Sequence, residues 1–303
     1  METMNWLQWA QLRERGKVNH EELGLISQQI RRLALQMIYK AQSGHPGGAL
    51  SCADVLAFLY FRELSVDPEK PDWEERDRFV LSKGHSCPAL YAALGLRGCF
   101  GADPVAVWQT FRKIGGQLQG HPHVLATPWV ETSTGSLGQG VSVAIGMAMG
   151  LRYRKSTARV CVMMGDGEQQ EGEVWEAAMS AAHYKLDNLC AVIDYNKMQS
   201  DALNEETMGI DCLRDRWHAF NWHVLEIDGH DFAAIESAFE NGRSTTGKPT
   251  CIIAHTLKGK GVSYMEGSPA WHGSVKLKDD ELLTAYRDLS IADDELEAYR
   301  QWN

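Results

Sequence analysis

The 303-residue sequence has no apolar run of the ~18 residues that a membrane-spanning helix requires, so no span is expected. It has no Cys-x-x-Cys pair. Its seven cysteines (Cys52, Cys87, Cys99, Cys161, Cys190, Cys212 and Cys251) are odd in number and widely spaced. That argues against a disulfide frame or zinc knuckle and for reduced thiols in a cytoplasmic protein. Positive charge is in deficit, with 30 basic residues against 40 acidic ones and a formal net charge of −10. A nucleic-acid binder needs a basic footprint, so that class is disfavoured. Residues 1–15, which include Glu2, Trp6 and Glu14, lack the basic start and apolar stretch of a signal peptide. Low-complexity segments and internal repeats are missing too.

What is present is a globular composition, 44% hydrophobic and 23% charged, in a chain long enough to bury a large core. Apolar residues at helical spacing predict a helix over 20–41, ended by Ser43-Gly44-His45-Pro46-Gly47-Gly48. A second helix is expected over 52–63, a strand over 79–82 that delivers Lys83-Gly84-His85, and a helix over 89–97. Residues 115–140 read as a long irregular connection, a type that often carries function. The small residues of 141–153 read as a tightly packed helix. Beyond it, strands at 159–164, 189–194, 223–227 and 250–254 alternate with helices near 173–184, 212–220 and 232–241, and 279–303 closes as a charged helix. Strands apolar on both faces, alternating with helices, indicate an α/β fold with a parallel sheet flanked by helices. Residues 1–303 read as one domain with a helical N-terminal lead-in. Trp6, Trp9 and Trp73 read as packing or interface residues.

In an open α/β sheet, ligands bind beyond the carboxyl ends of the strands. Gly165-Asp166-Gly167 ends one strand, and Asp194-Tyr195-Asn196-Lys197 ends the next. The glycines allow close backbone approach to a diphosphate. Asp166 and Asn196 offer hard oxygen ligands which, with a backbone carbonyl and phosphate oxygens, suit the octahedral shell of Mg²⁺. Gly-Asp-Gly alone is an ordinary turn; its pairing with Asn196 on the following strand carries the reading. Glu168, Glu171 and Glu173 cluster before a helix, and charge compensation at the helix N-terminus accounts for Glu173.

This pairing resembles the thiamine-diphosphate motif, which opens with Gly-Asp-Gly and closes with Asn. A wider set resembles the transketolase family: Ser43-Gly44-His45-Pro46-Gly47-Gly48, then Arg78 through Lys83-Gly84-His85, Gly120-His121-Pro122, Thr134-Gly135-Ser136-Leu137-Gly138-Gln139-Gly140 and Gly165-Asp166-Gly167-Glu168-Gln169-Gln170-Glu171-Gly172. Lys258-Gly259-Lys260-Gly261 and Trp271-His272-Gly273 complete it. The resemblance implies a thiamine-diphosphate-binding fold. It implies metal ligation (Mg²⁺, or Ca²⁺ or Mn²⁺) by the side chains of Asp166 and Asn196 and the backbone carbonyl of Met198. Gly165 and Gly167 would meet the diphosphate, and Gly135, Ser136 and Leu137 the centre of the cofactor. His45, His85, His121 and His272 would line the channel to the reacting carbon, His85 and His272 also touching the cofactor. Glu171 would lie where cofactor-binding modules meet. Neutral imidazole supplies one donor and one acceptor to sugar hydroxyls and titrates near neutrality, which suits proton transfer. His123, His183, His218 and His223 have no motif around them and read as surface residues. His230 and His255 follow or end strands, with roles left open. Lys258 and Lys260 could approach phosphate or lie on a solvated loop.

The resemblance further implies a partner. In the family, the glutamate that protonates the aminopyrimidine ring and the arginines that bind donor phosphate lie in a pyrimidine-binding domain, which is expected to be absent here. The sequence therefore resembles the N-terminal subunit of a split transketolase. Its C-terminal partner subunit would be of similar size, with two of each chain and the cofactor between unlike chains. Such an enzyme cleaves a ketose between C2 and C3 and passes the two-carbon unit to an aldose. The alternatives are a deoxyxylulose-phosphate-synthase-like subunit, a subunit of another thiamine-diphosphate enzyme and a catalytically silent binding subunit. Which sugar or sugar phosphate is used is not legible.

Overall fold

A computed structural model describes residues 18–200, 202–273, 275–296 and 299. Trp6, Trp9, the N-terminal segment and the last residues of the expected C-terminal helix lie outside them. Helix α1 (His20–Ala41) starts at a capping box, Asn19 with Glu22, and stops at Gln42, whose φ of 50° is left-handed. The expected break at 43–48 is only half a break, because Pro46 opens α2 (Pro46–Ser51), where its fixed φ suits a first helical turn. The single helix expected over 52–63 is α3 (Ala53–Phe58) running into a π-helical turn (Leu59–Glu63).

Strands β1 (Arg78–Leu81), β2 (Val160–Gly165) and β3 (Leu189–Tyr195) are joined through α4 (Cys87–Arg97), α5 (Pro104–Trp108), α6 (Gln139–Tyr153) and α7 (Gly172–His183). A two-stranded hairpin, β4 (Met198–Gln199) with β5 (Ala202–Leu203), follows, then α8 (Asn204–Thr207) and α9 (Leu213–Ala219). The chain returns through β6 (His223–Asp228), α10 (Phe232–Ser244), β7 (Thr250–His255) and α11 (Asp279–Asp288). Residues 109–138 carry no helix or strand, as expected of that connection. The hairpin and α5 have no counterpart in the sequence expectation, because runs this short carry little periodicity.

The sheet order is β1-β2-β3-β7-β6, all parallel. Alternate residues feed two cores. Cys161, Met163, Cys190, Val192, Ile252 and Ala254 face one, with residues of α1, α3, α4, α10 and α11. Val160, Val162, Met164, Ala191, Ile193 and Ile253 face the other, with residues of α6, α7 and α9. This is the two-sided burial that the uninterrupted apolar strands predict. No helix among the described residues is long and apolar enough to cross a membrane. What matters for the site is register: Gly165 pairs with Asp194, and Tyr195 with His255, so the carboxyl ends of three strands are level.

Candidate active site

Beyond those ends lies a cavity of about 410 Å³. Asp166 leaves β2 as the cap of a 3-10 turn (Gly167–Gln170) and is 2% exposed. Its Oδ1 accepts from the Gly167 N–H (2.8 Å), and its Oδ2 from the Lys197 N–H (2.5 Å) and Asn204 Nδ2 (2.9 Å). Burial, then the charge of Asp194, raises its carboxyl to about 6. Asn196 donates through Nδ2 to Asp194 Oδ2 (3.2 Å) and accepts through Oδ1 from the Met198 N–H (3.2 Å). The backbone carbonyl of Met198 lies 3.5 Å from Lys258 Nζ. A Cβ on Gly167 would stand 2.8 Å from Gln199 Cβ, so only glycine lets the hairpin close over this turn. Carboxylate, amide oxygen and backbone carbonyl form a mixed all-oxygen set, and a buried carboxylate pushed toward neutrality is one that a cation would relieve. These donors fit a hard divalent cation. No group of three His, Cys, Asp or Glu side chains among the described residues is arranged to hold a metal.

Beneath this floor, Asp194 binds Lys83 Nζ, Ser51 Oγ (2.6 Å) and Thr256 Oγ1 (2.5 Å). Burial opposes its charge, yet Lys83, Ser51 and Thr256 together hold its pKa below the usual carboxylate value. Glu168, fully buried, accepts from Ser82 Oγ, the Gly138 N–H (2.8 Å) and the Gly165 N–H (2.9 Å). It ties together the segments that carry Lys83, Gly135 and Asp166. That makes it a brace, a role its acidic-cluster setting does not reveal.

The wall is made of imidazoles. His45 stands between α1 and α2, and its ring centre is 5.4 Å from His85, 6.3 Å from His121 and 6.0 Å from His272; His85 and His272 are 5.3 Å apart. His85 follows β1, and His121 lies in the long connection, its ring 3.0 Å from where a Cβ on Gly135 would be. Their surroundings lower the pKa of all four below the ordinary imidazole value, His121 being the exposed member of the set. Burial, then the charges of Arg112, His121 and Lys258, brings His45 to about 4; burial, then Lys258, His45 and Lys83, brings His272 to about 3. His85 falls well below its usual value through burial and then Lys83, and His121 falls through burial and Arg112. His45 Nδ1 is buried with no hydrogen-bond partner among the described residues, and His272 Nδ1 lies 2.6 Å from Lys258 Nζ.

Of the residues singled out in sequence, His45, His85, His121, His272, Gly135, Leu137, Gly165, Asp166, Gly167, Glu171, Asn196 and Met198 all line the cavity. Ser136 does not; it is exposed. Glu171 is exposed at the rim. Lys258 is 1% exposed and lines the cavity, so the solvated-loop alternative fails for it; Lys260 stays outside. His230 and His255 are also outside, as are His123, His183, His218 and His223. Lys83, Gly48, Gln170 and Gln199 line the cavity without being singled out by sequence. Lys83 has a signal in its place beside Gly84-His85, whereas Gln199 has none.

Residues 24–300 match the family described as transketolase, thiamine diphosphate binding domain. The chain belongs to the transketolase family. It is 46% identical over 255 residues to an apulose-4-phosphate transketolase subunit of Phocaeicola vulgatus, covering 84% of this chain and 89% of that one. It is 46% identical over 260 residues to the 6-deoxy-6-sulfo-D-fructose transketolase subunit SqwG of Clostridium sp. (strain MSTE9), covering 86% and 93%. Among solved structures, the transketolase of Campylobacter jejuni superposes with a TM-score of 0.83 at 31% identity, covering 94% of this chain and 47% of that one. The transketolase of Leishmania mexicana gives 0.83 at 28%, covering 94% and 44%. The chain thus spans under half of those transketolase chains and nearly all of the two subunits.

Proposed function

We propose that this chain is the diphosphate- and metal-binding subunit of a thiamine-diphosphate-dependent transketolase. It acts with a C-terminal, pyrimidine-binding subunit, two of each chain, in the cytoplasm. The observation that carries the reading is the convergence of His45, His85, His121 and His272 over a floor made of Asp166, Asn196 and Met198. Relatives of matching length bear the names of transketolase subunits, which supports the partner. When bound, thiamine diphosphate supplies the carbanion chemistry of ketol transfer. Asp166 Oδ, Asn196 Oδ1 and the Met198 carbonyl would hold Mg²⁺, or Ca²⁺ or Mn²⁺, against the diphosphate. Gly165, Gly167 and Lys258 would face that diphosphate. Gly135 and Leu137 would flank the centre of the cofactor, with Ser136 directed toward the partner side.

The histidines would do the substrate work. In the neutral form each offers one donor and one acceptor to ketose hydroxyls, and the unpartnered Nδ1 of His45 would be available for one such hydrogen bond. Glu171, exposed at the rim, would meet the partner chain. The donor is a ketose or ketose phosphate and the acceptor an aldose; the anionic ends of the sugars in the relatives' names favour donors of that type. Reconstitution tests the reading. The chain, mixed with a candidate C-terminal subunit, Mg²⁺ and thiamine diphosphate, is expected to transfer a two-carbon unit. Activity from this chain alone overturns the split, and no activity with any partner favours a silent binding role. Asp166→Ala is expected to abolish Mg²⁺-dependent cofactor binding by calorimetry; unchanged affinity removes the metal assignment.

A further inference from the structure

We infer that His230 is a positioning residue that locks the Lys258 loop against the cavity, linking that loop to the buried Arg31–Asp54 ion pair. Its Nε2 accepts from the Leu257 N–H at 2.9 Å. A backbone N–H can only donate, so Nε2 is the bare nitrogen and Nδ1 carries the proton. That proton points to Asp54 Oδ2, 2.6 Å away. Asp54 is gripped in turn by Arg31, through Nη1 to Oδ1 (3.1 Å) and Nη2 to Oδ2 (2.5 Å). Arg31 and Asp54 are 4% and 5% exposed, and Arg31 also donates to the Leu50 carbonyl, so α1, α2 and α3 hold the anchor rigid.

The next residue along, Lys258, reaches both His272 and the Met198 carbonyl. The loop around it has little slack. The Gly259 N–H donates to the Gly47 carbonyl (3.1 Å), and Thr256 donates to Asp194. Gly229, next to His230, lies so near that a Cβ there would stand 2.6 Å from Thr256 Cγ2. Leu257 is therefore pinned between two strand ends, and the imidazole of His230 is what receives its N–H. His230 does not line the cavity; it acts through Lys258. The effect on cofactor affinity rests on the function proposed above.

Three substitutions test this, because glutamine can place an acceptor near the Nε2 position and asparagine can supply only the Nδ1-side donor. In the full chain without cofactor, His230→Ala and His230→Asn are expected to speed amide hydrogen exchange at residues 258–261, while His230→Gln stays near wild type. With Mg²⁺ and the partner chain, Ala and Asn are expected to weaken thiamine diphosphate binding by about ten- to a hundredfold, with Gln within about threefold of wild type. Exchange and affinity unchanged in His230→Ala overturn the inference, and so does equal loss in Gln and Asn, which is the signature of packing alone. If wild type binds no cofactor, the proposed function fails, and the exchange measurement still decides the positioning role.

Discussion

Two aspartates end neighbouring strands of the sheet, one register step apart and equally buried, yet their chemistry diverges. Asp194, 1% exposed, sits on Lys83 with Ser51, Thr256 and Asn196 around it. Asp166, 2% exposed, has only N–H donors among the described residues, and its carboxyl rises to about 6. Burial pushes both upward; a cationic partner reverses the direction for one. Asp194 is a strut that uses its charge inside the fold. Asp166 keeps a charge the fold does not neutralise, which is what a cation-binding carboxylate requires.

The largest expected effect breaks the strut. Asp194→Ala leaves Lys83 buried without its anion and is expected to cost about 3–5 kcal/mol in urea unfolding. Adding Lys83→Met should recover most of that, since no charge is then stranded. A single-variant cost below about 1 kcal/mol would mean that the pair is not desolvated and the contrast with Asp166 is false.

Asp166 predicts a pH dependence. Its folded pKa, about 6, lies above the ordinary 3.8, so the folded chain binds more protons than the unfolded chain between those values. This group's contribution to stability is therefore greatest at low pH and falls as pH rises through that window, by about 3 kcal/mol. Asp166→Asn should gain stability over wild type at neutral pH and lose that advantage near pH 4. Saturating Mg²⁺ should remove the wild-type slope, and a slope that Mg²⁺ leaves untouched would separate Asp166 from the metal.

The smallest expected effect has the opposite sign. Burial first, then Arg112, holds His45 at about 4 against an ordinary 6.5, so the unfolded chain takes up the proton first on acidification. The stability tied to neutral His45 is complete above about pH 6.5 and is lost as pH falls toward 4. His45→Gln should flatten that limb, by less than the Asp166 step because the ring keeps some solvent contact. Equal curves for wild type and His45→Gln would show that its burial does not govern its charge.

Much of the site is legible in residue order because motif residues sit at strand ends. Gly165-Asp166-Gly167 and Asn196 terminate apolar runs, and parallel pairing carries them to one edge. Lys258 is ambiguous in sequence because a lysine in a glycine-rich stretch, Leu257-Lys258-Gly259-Lys260-Gly261, looks the same whether it is solvated or buried. Only the contact with His272 decides it. Glu168 looks like one member of an acidic cluster, and its bracing role depends on Ser82 and Gly138, which are 86 and 30 positions away. The break before α2 is hard to read locally, since Pro46 both ends one helical pattern and starts another.

Periodicity and motif order by themselves determined an α/β fold of the transketolase family and named most of the residues that line the cavity. Those features are local: apolar spacing sets strand and helix, and short glycine-rich motifs set the turns between them. Strand order, the lowered pKa values of the four histidines, the divergence of Asp166 from Asp194 and the link from Arg31 through His230 to Leu257 were decided only by the tertiary structure. Each depends on which charge lies near which, and on how much water is excluded. Both are set by contacts between residues far apart in the chain.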